Sequence, residues 1–181
     1  MIFTSYLFSQ ITVTKTEGSP VGAKLVYGKL VNDGSTLKRE KMVLNDANCP
    51  IQLNDVGIET SYSDGSYYFK QNGSFTLKEP ITAYELNYMI YDVFGEHIKT
   101  LSGTKVIDIE RQQELSKTLS WYASGNDVEI YFICVAYVAN VRTKNGQLWH
   151  YNYTGIKEQL DNLKISFEKD YLPSKDSDKG K

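Results

Sequence analysis

The sequence is short of cysteine, histidine and long apolar runs, and each shortage argues against a class of protein. Two cysteines, Cys49 and Cys134, are too few for a disulfide-held fold, so we expect free thiols, with a single disulfide as the alternative. The two histidines, His97 and His150, lack cysteine neighbours at zinc-site spacing, so neither a metal nor another cofactor is predicted. No apolar run reaches about 18 residues, the length of a membrane-inserting helix, so no membrane insertion is predicted.

The sequence also lacks an excess of charge of one sign. It carries 20 Lys+Arg against 22 Asp+Glu, and both signs are scattered along the chain. Nucleic-acid binders concentrate basic charge on one face, so no nucleic-acid partner is predicted. The first ten residues lack the basic stretch and cleavage site of a secretory signal. This favours a cytoplasmic location, although an export signal removed beforehand would leave the same sequence.

The common catalytic motifs are missing too. The sequence has no GxSxG, no phosphate-binding loop, no GxGxxG and no HExxH. Cys134 with His97 or His150 is a conceivable nucleophile–base pair, since two strands would bring them together. Because Cys134 lies among apolar neighbours, we expect it to be a buried apolar side chain instead. No catalytic residues are therefore predicted, and the protein is expected not to be an enzyme.

The sequence is rich in tyrosine, and its apolar residues recur with a period of two. Fourteen tyrosines favour strands. Apolar and polar residues alternate over short stretches that turn residues punctuate, which predicts an all-β fold, an antiparallel β-sandwich or barrel. Residues 1–168 are expected to form one domain, with residues 169–181 as a polar, disordered tail. Apolar residues spaced as one helix face predict a short C-terminal helix over residues 154–163.

The strongest structural signal is a hairpin in residues 128–153. Residues 128–142 are apolar at almost every position, which predicts a long central strand. Asn145 and Gly146 tolerate the positive φ of a tight turn, and residues 148–153 return as an aromatic strand. A strand that is apolar on both faces has to bury both of them away from water. One face is therefore expected against a second sheet, and the other against a loop, a helix or a partner.

Residues 88–95, Tyr-Met-Ile-Tyr-Asp-Val-Phe-Gly, resemble the strand end and following turn of FxLYD-type domains, a set of bacterial immunoglobulin-like modules. Residues 135–142, followed by Asn-Gly-Gln-Leu-Trp at 145–149, are similar to a hairpin found in bacterial proteins of unassigned function. The resemblance covers about residues 81–149. Such modules are envelope-associated or accessory domains without catalysis, so the resemblance implies an all-β antiparallel immunoglobulin-like β-sandwich with a binding or structural role.

The residues of these motifs also have structural roles that need no resemblance. Asp92 is suited to accept backbone N–H bonds in a turn that Gly95 completes. Arg142 closes the central strand, where its guanidinium would pair with a carboxylate on a neighbouring strand, such as Glu85 or Asp92. A ligand-binding role for Asp92 and Arg142 is the alternative.

Two aromatic clusters are the candidate binding surfaces. Trp149, Tyr151 and Tyr153 are spaced by two and would share one strand face. Three rings in line form a platform for a ligand or a protein partner if they are exposed, and ordinary core if they are buried. The members of the second cluster are Tyr62, Tyr67, Tyr68 and Phe69.

Together these features predict a non-catalytic binding or assembly module that works through protein–protein contacts, with a homo-oligomer among the expected forms. The alternative is a carbohydrate- or small-ligand-binding domain that uses exposed aromatic rings.

Overall fold

The computed structural model describes residues 11–110, 113–114 and 119–172 of the chain. Most of the predicted disordered tail at 169–181, namely residues 173–181, falls outside these ranges. The strands in chain order are β1 (Ile11–Pro20), β2 (Ala23–Val26), β3 (Lys29–Asn32), β4 (Lys38–Asp46), β5 (Ile51–Leu53), β6 (Gly57–Ser63), β7 (Ser66–Asn72), β8 (Ser74–Leu77), β9 (Ile81–Tyr91), β10 (His97–Ile109), β11 (Gln113–Glu114), β12 (Ser120–Ala123), β13 (Ile133–Thr143) and β14 (Leu148–His150). The helices are α1 (Gly125–Ile130) and α2 (Tyr153–Asn162), followed by a 3-10 turn at Lys169–Tyr171.

The largest sheet has the strand order β1-β4-β13-β9-β10, and β14 pairs with the second half of β13. All its pairs are antiparallel except β4 with β13, which run parallel. The prediction of an antiparallel fold is therefore wrong for this pair. Short turns force neighbouring strands to be antiparallel, but residues 47–132 separate β4 from β13, so no turn fixes their relative direction. The protein is mostly β, with mixed and antiparallel sheets and two helices.

The large sheet is buried on both faces, and we call these faces A and B. Face A packs against two three-stranded sheets, β11-β8-β5 and β12-β7-β6. Face B packs against α2 and the segment that follows it. In β9, and in β13 as far as Ala139, successive side chains alternate between the faces, as the period of two predicts. The second face of the central strand is thus covered, at least in part, by a helix of the same chain.

The central strand is shorter than predicted, because residues 128–130 are the end of α1 and β13 begins only at Ile133. The Ser124 side chain caps α1 by accepting the N–H of Asp127 at 3.0 Å. Asp127 lies in the first turn, where a carboxylate interacts favourably with the helix dipole, and it pairs with Lys99. The cap and the packing outweigh the strand preference of Val128 and Ile130.

The predicted C-terminal helix is confirmed as α2. The Asn152 side chain accepts the N–H groups of Thr154 and Gly155, and Ile156 and Leu160 are buried against the sheet. The predicted disorder does not extend to the 3-10 turn at Lys169–Tyr171. There the Tyr171 ring stacks on His97 with ring centroids 4.0 Å apart.

Candidate functional site

Trp149, Tyr151 and Tyr153 do not form an exposed platform. Strand β14 ends at His150, so Tyr151 lies beyond it and Tyr153 is the first residue of α2. Trp149 packs against the face A core, whereas Tyr151 and Tyr153 pack against the face B core. All three rings are half-buried. The expectation of one shared strand face is wrong because Asn152 starts a helix before a third strand position is reached.

The second aromatic cluster divides between core and surface. Phe69 is fully buried, and Tyr67 packs partly against the same core, edge-on to Tyr62. Tyr68 points to the other side of β7 and contacts Tyr122 of β12, with ring centroids 4.9 Å apart. Tyr122 is 74% exposed. Its pairing with Tyr68 depends on the β7–β12 register, which the sequence alone does not reveal.

The residues assigned to turns contact backbone groups of their own turns. The Asp92 carboxylate accepts the N–H groups of Phe94 at 2.8 Å and Glu96 at 2.9 Å, and Gly95 has a φ of 81°. In the central hairpin Asn145 Oδ1 accepts the N–H of Gln147 at 3.2 Å, and Gly146 has a φ of 89°. These contacts fix the two turns.

Arg142 is exposed, and among the described residues it forms no ion pair with Glu85 or Asp92. In the β9–β13 register Arg142 lies opposite Ala83, while Asn140 lies opposite Glu85. The position predicted for the arginine is thus taken by an asparagine amide.

A chain of hydrogen bonds runs across four strands at this place, and we call it the polar row: Ser102, Glu85, Asn140 and His150. Ser102 Oγ donates to Glu85 Oε1 at 2.9 Å, and Asn140 Nδ2 donates to Glu85 Oε2 at 2.5 Å. Asn140 Oδ1 lies 2.5 Å from His150 Nδ1. The Ser102 hydroxyl therefore binds a carboxylate and not an imidazole, which is not the arrangement of a serine nucleophile with its base.

The two cysteines are free and buried. Burial raises the pKa of Cys49 and that of Cys134 to about 12, so both thiols stay protonated at neutral pH. His97 binds the Thr100 hydroxyl at 2.9 Å and lies between the rings of Tyr91 and Tyr171. The cysteine–histidine arrangement considered from the sequence is therefore not assembled in these residues.

Arg39 is the most deeply buried cation among the described residues, with 2% of its surface exposed. Its Nε donates to the Tyr131 carbonyl at 3.1 Å, and its Nη2 donates to the Val128 carbonyl at 3.2 Å. Its Nη1 donates to Ser19 Oγ and to the Pro20 carbonyl, each at 3.1 Å. Arg39 thus ties the end of α1 to the end of β1. Burial lowers the pKa of the guanidinium, but an arginine stays charged at any physiological pH.

The β2–β3 hairpin carries several exposed apolar side chains, and the sequence patterns described above do not predict it. Its turn residues, Tyr27 and Gly28, have φ values of 49° and 73°. The Tyr27 ring is fully exposed. Leu25 and Val31 are also exposed, and with Tyr27 these side chains of the hairpin make up what we call the hairpin surface. A cleft of about 190 Å³ separates the hairpin from β6 and the buried Arg39.

No group of three or more histidine, cysteine, aspartate or glutamate side chains among the described residues is placed to hold a metal ion. Within the same residues no helix is both long and apolar enough to cross a membrane.

Comparison of the chain with protein-family models, with curated proteins and with solved structures gives no match. The resemblance to FxLYD-type domains therefore stays a prediction, and the function has to be inferred from the geometry.

Proposed function

We propose that the protein is a non-catalytic binding and assembly module that works through protein–protein contacts, and that its hairpin surface binds a second copy of the same chain. The observation that carries this proposal is the exposure of apolar side chains on both faces of the β2–β3 ribbon. Leu25 lies on one face, opposite Leu30, and Val31 lies on the other.

An isolated two-stranded hairpin is only marginally stable in water, because it has too little apolar surface to bury. Within the described residues β2 pairs with β3 alone, so its outer edge has free backbone N–H and C=O groups. Such an edge accepts another strand. Antiparallel pairing of β2 with the β2 strand of a second copy is self-complementary, and it closes under twofold symmetry.

The conformation and exposure of Tyr27 also support an interface at the hairpin surface. Its backbone is in the left-handed region, which costs a residue with a side chain about 1–2 kcal/mol. Glycine or asparagine would occupy this turn position at lower cost. Because the ring is fully exposed, it contributes no packing within the monomer, whereas tyrosine is among the residues that protein interfaces favour.

Light scattering over a wide range of protein concentration tests self-association. We expect the wild type to form a dimer as the concentration rises. We expect the double variant Leu25→Ser, Tyr27→Gly to dissociate at roughly tenfold higher concentration or more, the equivalent of at least about 1.4 kcal/mol. Glycine suits the backbone of position 27, so the hairpin should be retained.

Val106→Ser is the matched control, since Val106 is 86% exposed but lies on β10, away from the hairpin. It should dimerise as the wild type does. A wild type that remains monomeric at every concentration would overturn the proposal, and so would equal weakening by the control variant.

The alternative, carbohydrate binding, is supported in a narrower form by the exposed ring of Tyr122 and its half-buried neighbour Tyr68. Two tyrosine rings on a sheet surface suit the flat face of a sugar ring. A glycan-array signal that Tyr122→Ser abolishes is the expected result, while an unresponsive wild-type protein would exclude this function.

We also propose that the fold is related to the immunoglobulin-like modules that residues 88–95 resemble. The support is local. Strand β9 ends at Tyr91, and Asp92 and Gly95 form the turn that follows it, as in the motif.

A further inference from the structure

The cleft between the β2–β3 hairpin and β6 borders on a buried positive charge. The Arg39 side chain lines this cleft of about 190 Å³, although only 2% of the residue's surface is exposed. Its four hydrogen bonds all go to neutral acceptors, which are three backbone carbonyls and the Ser19 hydroxyl. No carboxylate of a described residue lies within ion-pair distance of the guanidinium. The group is thus hydrogen-bonded without being neutralised.

A buried charge without a counter-charge is unusual in a folded protein. Removal of a guanidinium from water is costly, and proteins normally offset the cost with a carboxylate or another anion. The Tyr131 ring, with its centroid 4.8 Å from the guanidinium carbon, offsets part of the cost through a cation–π contact, but it carries no net charge. The complement that Arg39 lacks is an anion, and the cleft is the open space beside this side chain.

Two hydroxyl residues of the cleft are suited to hold an anion there. Ser19 Oγ accepts a hydrogen bond from Arg39 Nη1 at 3.1 Å, and the serine proton remains available to donate. Ser19 is half-buried and lines the cleft, so an anion reaches its hydroxyl without displacing the guanidinium. Such an anion would lie about 5–6 Å from Arg39 Nη1, the sum of two hydrogen-bond lengths. Thr60, also half-buried, lines the same cleft from β6 and brings a second hydroxyl.

The other residues that line the cleft restrict the class of anion. Pro20, Leu30 and Val31 give the cleft apolar walls, which favour an aliphatic chain. Glu59 lines it as well, but this residue is exposed, so water screens its charge more than that of the buried guanidinium. The Glu59 carboxylate still disfavours a second negative charge on a ligand. The best match is therefore one carboxylate on a short aliphatic chain.

We propose that this cleft binds a small aliphatic monocarboxylate. The hydroxyls of Ser19 and Thr60 donate to the carboxylate, Arg39 supplies the attracting charge behind Ser19, and the aliphatic chain lies against Leu30 and Val31. Pockets for drug-sized ligands measure about 300–1,000 Å³, so a cleft of 190 Å³ suits a chain of only a few carbon atoms. The site lies beside β3 and does not use the free edge of β2, so it is independent of the proposed self-association.

The test is NMR titration of the protein with sodium butyrate, compared with butyramide, a neutral molecule of the same shape. We expect butyrate to shift the backbone amide signal of Gly22, another residue of the cleft, in a saturable way, and butyramide to leave this signal unchanged. Ser19→Ala and Thr60→Val each remove one hydroxyl. Each should lower the affinity for butyrate roughly tenfold, because a hydrogen bond to a charged group is lost. Glu59→Gln should raise the affinity, since it removes a like charge from the cleft.

Thr14→Val is the matched control for Thr60→Val, because Thr14 is an exposed threonine of β1 that does not line the cleft. It should bind butyrate as the wild type does. The absence of a butyrate-dependent shift in the wild type would overturn the proposal and leave Arg39 with a purely structural role. An equal response to butyramide would also overturn it, as would unchanged affinity in both folded hydroxyl variants. Weaker butyrate binding by Glu59→Gln would contradict the assignment of an anionic ligand.

Discussion

Replacement of Arg39 by methionine is expected to lower the free energy of unfolding by about 4 kcal/mol. The guanidinium donates to the carbonyls of Val128 and Tyr131, and both residues are buried. Methionine fills a similar volume but donates no hydrogen bond. Two buried acceptors would then be left without donors, at about 2 kcal/mol each. The cation–π contact of Arg39 with the Tyr131 ring, at 4.8 Å, would also be lost.

Urea unfolding followed by tryptophan fluorescence measures this loss. Lys38→Met is the matched control, because the neighbouring Lys38 forms an exposed ion pair with Glu17. Exposed pairs contribute less than about 1 kcal/mol, so this variant should unfold close to the wild type. Equal stability of the two variants would show that water replaces the guanidinium and that Arg39 is not the tie between β1 and α1.

The second large loss in the free energy of unfolding is expected on substitution of Gly73, which links β7 to β8. A Cβ at this position would overlap the Asp55 carbonyl oxygen, far inside van der Waals contact, and the φ of Gly73 is 118°. The neighbouring Val56 is fully buried, so the Asp55 backbone has little freedom to move away. Gly73→Ala should therefore cost about 4 kcal/mol, from the overlap and from the unfavourable φ together.

Gly34→Ala separates these two causes. Gly34 also has a positive φ, of 99°, but nothing lies within 4 Å of the place that a Cβ would occupy there. Its substitution should cost only about 1–2 kcal/mol, the conformational part alone. Urea midpoints of the two variants give the comparison. If both lose the same stability, the approach of Gly73 to Asp55 is not the cause.

Local patterns in the sequence were sufficient to predict the parts of the fold that local geometry decides. The alternation in residues 81–91 assigns side chains to both faces of β9, because every strand has a period of two. The Asn145–Gly146 turn and α2 carry their own signals, a positive-φ pair and an apolar stripe. Neither depends on distant residues.

The errors arose where a distant contact or a cap decides the structure. Residues 125–130 have β-branched members, yet Ser124 caps them as a helix that Arg39 holds at its other end. Tyrosine is disfavoured at a positive φ, so its presence at position 27 does not indicate a turn. The parallel pairing of β4 with β13 has no local signal at all.

The candidate sites were harder still to predict. The spacing of Trp149, Tyr151 and Tyr153 fits a shared face, but this holds only while the strand continues, and it ends at His150. The polar row combines residues from four strands, and its geometry depends on one bulge at Ala139. A single sequence contains neither the register nor the bulge.

The position of β13 has a consequence for how the chain folds. Until residues 133–143 are available, β1 with β4 and β9 with β10 are two separate antiparallel pairs. The bridging strand then joins residues as far apart as Glu40 and Ile133. Contacts over such a separation make folding slow, and the unfilled slot between β4 and β9 leaves two strand edges open to other chains. During synthesis, the period before β13 emerges is when this protein is most vulnerable to aggregation.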